Sequence, residues 1–198
     1  MHIRRHRHRV PRPAFTLIEL MIVIALMGVL AALVISVGSA VRAKAAETST
    51  RAVLKAVQGA IETYTNTFGA PPDDEVNWRR DDGWLDDDQA RKMAAAKANA
   101  YWLREQLGRH AEARKQLEDI GGDLVYDCNP ATNPDAEEID PHPMDAGSTK
   151  EYLPYLLDHW GTPLNYQDNG GAGGTPVVIS AGLNRRFDDG DDLRSDDQ

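Results

Sequence analysis

Two groups of side chains in this 198-residue chain have the types and spacing to do chemistry. Near the C-terminus, Asn184, Asp188, Asp189, Asp191 and Asp192 place four carboxylates and one amide within nine residues. Hard oxygen donors at that density suit calcium, which takes about six to eight of them at roughly 2.3–2.6 Å. A run of acids this close also repels itself unless a cation neutralises it. The plainer alternative is an acidic, frayed tail, above all for Asp196 and Asp197. An EF-hand does not fit: with Gly190 as the loop glycine, Arg185 and Phe187 stand where acidic ligands are required. Near the N-terminus, Glu19 is the one acid in the apolar run Phe15 to Ile35. A charge inside a bilayer costs roughly 2.5–3.5 kcal/mol on insertion scales, so a role is expected of it unless it snorkels to the interface. No nucleophile–base pair, phosphate-binding glycine loop or HExxH-like zinc signature accompanies either group, and an enzyme is not expected.

The elements that must position these groups follow from composition and periodicity. The net charge is −9, yet the first fourteen residues hold Arg4, Arg5, Arg7, Arg9 and Arg12 and no acid, so the body is more acidic still. An acidic body argues against nucleic acid as the main partner, and none is expected, since phosphate binding needs clustered Lys and Arg. The one cysteine, Cys128, excludes an internal disulfide and reads as a small buried or half-buried side chain. From Leu20 to Val41 no residue is charged. At 1.5 Å per residue that length covers a hydrocarbon core of about 30 Å, and it outruns the roughly 7–15 apolar residues of a cleaved secretory signal. The basic leader then stays cytoplasmic and the acidic body lies outside.

Beyond the apolar run, Val41, Ala45, Thr48, Ala52, Val53, Ala56, Val57, Ala60, Ile61, Tyr64 and Phe68 recur at spacings of three and four and predict one continuing helix. Gly69-Ala70-Pro71-Pro72 stops it. Residues 73–88 read as an acidic loop. A second helix is expected to start among Asp86, Asp87 and Asp88, with Met93, Ala96, Ala100, Leu103 and Leu107 facing inward and a break near Gly108 before helix resumes to about Leu117. Trp78, Trp84 and Trp102 read as core or loop anchors. Leu124-Val125-Tyr126 reads as a short strand, and residues 129–149 as an irregular loop in which His142 is exposed. Trp160-Gly161-Thr162-Pro163 predicts a turn with Trp160 as buried anchor. A strand follows, then a Gly170–Gly174 hairpin loop and a returning strand Thr175–Ser180.

Ala14-Phe15-Thr16-Leu17-Ile18-Glu19-Leu20-Met21-Ile22-Val23-Ile24-Ala25 resembles the class III signal of type IV pilins and type II secretion pseudopilins. The resemblance implies that a prepilin peptidase cuts between Ala14 and Phe15, that Phe15 becomes the methylated N-terminus, and that Glu19 meets the amino group of a neighbouring subunit's Phe15 in a packed filament. The family usually has Gly where this chain has Ala14, and often Pro where it has Ser36, which leaves Gly28 or Gly38 for any local loosening. Asp158-His159-Trp160-Gly161-Thr162-Pro163-Leu164-Asn165-Tyr166 resembles the D-x-W-G-x-P-x-x-Y stretch of the major pseudopilin. Ser180 to Leu193 is similar to that protein's calcium loop, S-x-G-x-[DN] … D-D-[IL]. This second likeness implies Asn184, Asp188, Asp191 and Asp192 as calcium ligands, with Asp189 able to replace Asp188.

The resemblance implies an α+β, pilin-like fold in which a long N-terminal helix packs on a small domain carrying an extra helix and a C-terminal antiparallel hairpin or sheet. The expected organisation is a cytoplasmic basic leader (1–14), a transmembrane and assembly helix (15–38), its amphipathic continuation (39–68), a charged helical and loop insertion (69–150), and a β-hairpin with the acidic loop (151–198). The implied function is that of a pseudopilin in a type II secretion-like system, placed in a bacterial inner membrane with its N-terminus cytoplasmic and its C-terminal domain periplasmic. Its implied partners are copies of itself, other pseudopilins, the prepilin peptidase and the inner-membrane assembly platform. Two alternatives are a type IV pilin of surface fibres or DNA uptake, and a membrane-anchored ligand-binding or enzymatic domain.

Overall fold

A computed structural model describes residues 17–74, 87–120, 124–143, 147–171 and 173–197; of residues 34–40 it describes the backbone alone. The chain order is α1 (Leu17–Phe68), α2 (Asp88–Gly108), α3 (Ala111–Glu118), β1 (Asn165–Gln167), β2 (Val177–Ser180) and β3 (Leu193–Arg194). This is an α+β, pilin-like arrangement of an N-terminal helix, further helices and a small antiparallel sheet. The chain divides into two compact units, Met1–Arg42 and Ala43–Gln198.

In the first unit, the side chains from Leu17 to Leu33 are exposed all round the helix, from Leu17 at 76 % to Val23 at 41 %. Among the described residues no helix is long and apolar enough to cross a membrane. The expected span over 15–38 begins outside them, and its side chains from residue 34 onward lie outside them too.

In the second unit, α1 buries Ala46, Thr50, Val53, Leu54, Val57, Ala60 and Ile61. This face is rotated from the expected stripe. Ala45, Thr48 and Ala52 are exposed, as are Val41 in the first unit and Phe68 at the helix end, whereas Val53, Val57, Ala60 and Ile61 of the expected stripe are buried together with Ala46, Thr50 and Leu54 from outside it. The helix ends at Phe68 as expected. Gly69 adopts φ +80°, which L side chains resist, and its N–H caps the Thr65 carbonyl at 2.8 Å. The chain after it is held by Tyr166, whose hydroxyl donates to the Pro72 carbonyl at 2.6 Å.

Asp87 caps α2, accepting from the N–H groups of Gln89 at 2.9 Å and Ala90 at 3.4 Å. Ala95, Ala96, Ala98, Ala100, Leu103 and Leu107 are buried along it, while Met93 is only partly covered. α2 packs on β1, where Asn99 Nδ2 donates to Asn165 Oδ1 at 2.9 Å within the core. His110 separates α2 from α3 and caps the latter through Nδ1.

The sheet order is β1-β2-β3, both pairs antiparallel, with Asn165 opposite Ile179 and Ser180 opposite Leu193. β2 is buried on both faces, and its alternation divides the core. Val178 joins the main cluster with Leu54, Leu103 and Tyr166, whereas Val177 and Ile179 join Ala96, Ala181 and Phe187.

Several expectations need correction. Leu124–Tyr126 is not a strand; Val125 makes one isolated bridge, to Leu156. β3 was not expected at all. Trp160 is half-buried, and it is Asp158 before it that is buried, at 2 % exposure. His142 is half-buried, its ring 5.3 Å from that of Trp102, whose Nε1 donates to the Pro141 carbonyl at 3.0 Å. Trp78, Trp84 and Asp86 lie outside the described residues.

Candidate functional site

The C-terminal loop is built outward from a buried carboxylate. Asp158 Oδ1 accepts from the backbone N–H groups of Trp160 at 2.9 Å and Thr162 at 2.8 Å, closing the turn that leads into β1. Its Oδ2 accepts from the Ser180 hydroxyl at 2.6 Å, which ties the turn to the end of β2. Ser180 Oγ in turn accepts from the Gly182 N–H at 3.2 Å. Burial pushes the Asp158 pKa up, while the hydrogen bonds from Ser180, Thr162 and Trp160 pull against it.

Gly182 starts the loop at φ +64°; a Cβ there would meet the Asp191 carbonyl oxygen at 2.3 Å, so only glycine allows the two ends of the loop to approach. Arg185 and Asp188 also take left-handed conformations, at φ 59° and 70°. Between them Phe187 is buried at 1 % exposure and anchors the loop in the smaller cluster; its carbonyl accepts from Gln89 Nε2 at 3.1 Å.

The structure groups the predicted site residues around Asn184. Its Nδ2 donates to Asp189 Oδ2 at 2.7 Å and to Asp191 Oδ1 at 2.6 Å, while its Oδ1 accepts from the Arg186 N–H at 2.7 Å. Asp189 and Asp191 also share a hydrogen bond between carboxyl groups. That contact holds the Asp189 pKa below the usual carboxylate range and the Asp191 pKa above it. Asp192 Oδ2 accepts from the Asp188 N–H at 2.8 Å, and its Oδ1 is buried with no hydrogen-bond partner. Burial first, then the charges of Asp189 and Asp191, push the Asp192 pKa up to about 6. Asp188 points elsewhere: its Oδ2 lies 3.5 Å from Nζ of Lys92, a lysine only 8 % exposed that also pairs with Asp88 at 2.6 Å. Among the described residues, no three His, Cys, Asp or Glu side chains form a group that could hold a metal ion.

Lys92 escaped the sequence reading. It occupies an inward position of α2 and reaches the loop from nearly a hundred residues away. Its only local signal is Asp88 one turn earlier. At the other end of the chain, Glu19 lies exposed in the first turn of α1, and Ala14 and Phe15 are outside the described residues.

A prokaryotic N-terminal methylation motif matches residues 12–35, which include Ala14, Phe15 and Glu19. No curated protein and no solved structure matches the chain. The motif supports a place in the type IV pilin-like superfamily and marks a structural subunit rather than an enzyme. It implies processing by a prepilin peptidase, assembly with pilin-like subunits and a membrane-anchored N-terminus.

Proposed function

We propose that this chain is a pseudopilin of a type II secretion-like system, a subunit whose N-terminal helices pack into a periplasmic filament that drives protein export. The observation that carries the reading is the pairing of the methylation motif with the Asp158–Ser180 device at the other end of the chain. Asp158, Trp160, Gly161 and Pro163 are the residues of the pseudopilin-like D-x-W-G-x-P turn, and Ser180 opens the pseudopilin-like loop. Apolar side chains exposed right round α1 from Leu17 to Leu33 support a helix that is completed by lipid or by neighbouring copies. In that setting Glu19 pairs with the amino group of a neighbour's Phe15, which offsets the desolvation each charge suffers alone.

Calcium at the C-terminal loop belongs to the same proposal. The donors are carboxylate and amide oxygens, one of them the partnerless, buried Asp192 Oδ1. As placed in the structure these side chains do not converge on one point; to hold an ion, Asn184, Asp191, Asp192 and either Asp188 or Asp189 would have to turn their oxygens together, and Asp189 is favoured because Asp188 faces Lys92. Bound there, calcium would neutralise the run of carboxylates.

The test is co-expression with a prepilin peptidase and the secretion machinery. The expected result is a methylated Phe15 N-terminus, short filaments, and export that stops when Glu19→Leu is introduced. An uncut Ala14–Phe15 bond with no filaments overturns the assembly reading. Filaments on the cell surface with export unaffected favour the type IV pilin alternative.

A further inference from the structure

A lysine is seldom buried unless it is paired. Lys92 is 8 % exposed and sits one turn before Ala96, which packs in the smaller cluster with Phe187. Its ammonium lies between carboxylates on two different elements, 2.6 Å from Asp88 Oδ2 within α2 and 3.5 Å from Asp188 Oδ2 on the C-terminal loop. Asp88 has a second cation, since Arg91 Nη2 donates to its Oδ1 at 2.8 Å. Asp188 is the more demanding partner. Its backbone stands at φ 70°, a conformation that L residues resist and that surrounding contacts must hold. Its N–H donates to Asp192 Oδ2 at 2.8 Å, and its carboxylate faces Lys92. One residue earlier, the Phe187 carbonyl accepts from Gln89 Nε2 at 3.1 Å. Gln89 and Lys92 are three apart and share a face of α2, so one helix face grips two consecutive loop residues.

The next carboxylate takes another partner. Asp189 Oδ2 accepts from Asn184 Nδ2 at 2.7 Å, and the same amide donates to Asp191 Oδ1 at 2.6 Å. Neighbouring acids are thereby sorted, one to an ammonium and one to an amide.

We propose that Lys92 is the loop's own cation, a positioning residue that fastens Asp188 to α2 and keeps it out of the set of oxygens open to calcium. The first half of this stands on the strap alone; the second rests on the calcium reading above. The strap gives the loop its shape before any metal binds. An ammonium beside the carboxylates also opposes a divalent cation, so the loop binds calcium more weakly than its oxygens alone would allow. Removing Lys92 both lifts that repulsion and releases Asp188 to turn.

The experiment uses the full chain in detergent and the variant Lys92→Met, which keeps an unbranched side chain and removes the charge. Hydrogen exchange of residues 183–192 with chelator present reads the strap. It is expected to quicken roughly tenfold in Lys92→Met and in Asp188→Asn alike, with no further gain when the two are combined. If Lys92→Met does not fold, Asp188→Asn reads the same contact from the loop side. Titration with calcium chloride reads the sorting. Lys92→Met is expected to bind calcium roughly tenfold more tightly than the parent chain. Adding Asp189→Asn should then cost it less than the same change costs the parent, because Asp188 takes the vacated role. Exchange indifferent to the variants overturns the proposal, as does calcium bound equally tightly with and without Lys92. Faster exchange with no calcium bound by either chain upholds the strap and sinks the calcium reading alone.

Discussion

The two ends of α1 are built from similar apolar residues and meet opposite fates. From Leu17 to Leu33 every described side chain is exposed, whereas Leu54, Val57, Ala60 and Ile61 are at or below 1 % exposure. The difference lies in what the rest of the chain supplies. α2, β1 with the residue just before it, and β2 bring Leu103, Leu107, Leu164, Tyr166 and Val178 into one core with the second stretch. Among the described residues nothing comparable covers the first. A helix that is hydrophobic all round is a part waiting for an apolar solvent or a partner.

The largest expected effect tests that contrast directly. Leu103→Ala removes a fully buried side chain from the main cluster and should destabilise the second unit by about 2–5 kcal/mol, through lost transfer energy and the cavity left behind. Leu26→Ala, at a position 58 % exposed, should leave the same unfolding transition within about 0.5 kcal/mol while weakening assembly. Denaturant unfolding of the full chain in detergent, read beside filament yield, checks both. If Leu26→Ala lowers the unfolding transition as much as Leu103→Ala does, the two stretches are not the separate surfaces described.

A second contrast sets the C-terminal loop against the apolar helix. The loop looks finished, because Asn184, Phe187 and the Asp158–Ser180 pair hold it through the chain's own hydrogen bonds. Yet Asp189, Asp191 and Asp192 remain crowded, with one oxygen unpartnered. Calcium is expected to raise the unfolding free energy by roughly 2.7 kcal/mol at a hundredfold excess over its Kd, and chelator to reverse it. Asp189→Asn with Asp191→Asn should abolish the response. An unchanged thermal melt with calcium and chelator would mean that the loop completes itself, which sharpens the contrast with α1 while removing the metal.

What could be read in advance was local. Gly69 beside two prolines marked the end of α1, Asp87 the start of α2, and the Trp160–Pro163 turn and the glycines at 170–174 framed β1 and β2. What could not be read depends on partners distant in sequence. β3 is two residues long and set among acids, so it carries no alternating pattern. Pairing with β2, and Arg194 donating to the Gly170 carbonyl at 3.0 Å, define it. The burial of Asn99 makes sense only beside Asn165, and that of Lys92 only beside Asp88 and Asp188. Helical periodicity placed the α1 stripe one position off at several points, since small residues such as Ala45 and Ala52 fit either face equally well. In the site, the residue types were legible, but the grouping was not: nothing local tells that Asp188 turns to a lysine while Asp189 turns to Asn184.

The smallest effect expected isolates the charge left over in that loop. With chelator present, the folded-state pKa of Asp192, at about 6, lies above the ordinary value of 3.8 that the carboxyl regains when the chain unfolds. A carboxyl raised on folding favours the folded state when protonated. Its contribution is therefore complete below about pH 4 and is lost as pH rises through about 6. Because the group is only partly buried, solvent screening limits the contribution to about 1 kcal/mol or less. Asp192→Asn keeps the oxygen that accepts the Asp188 N–H and removes the charge, so the stability of that variant should lose this slope between about pH 4 and 7. A slope unchanged in Asp192→Asn would assign the strain to another carboxyl, with the buried Asp158 next in line, since its pKa is also pushed up by burial.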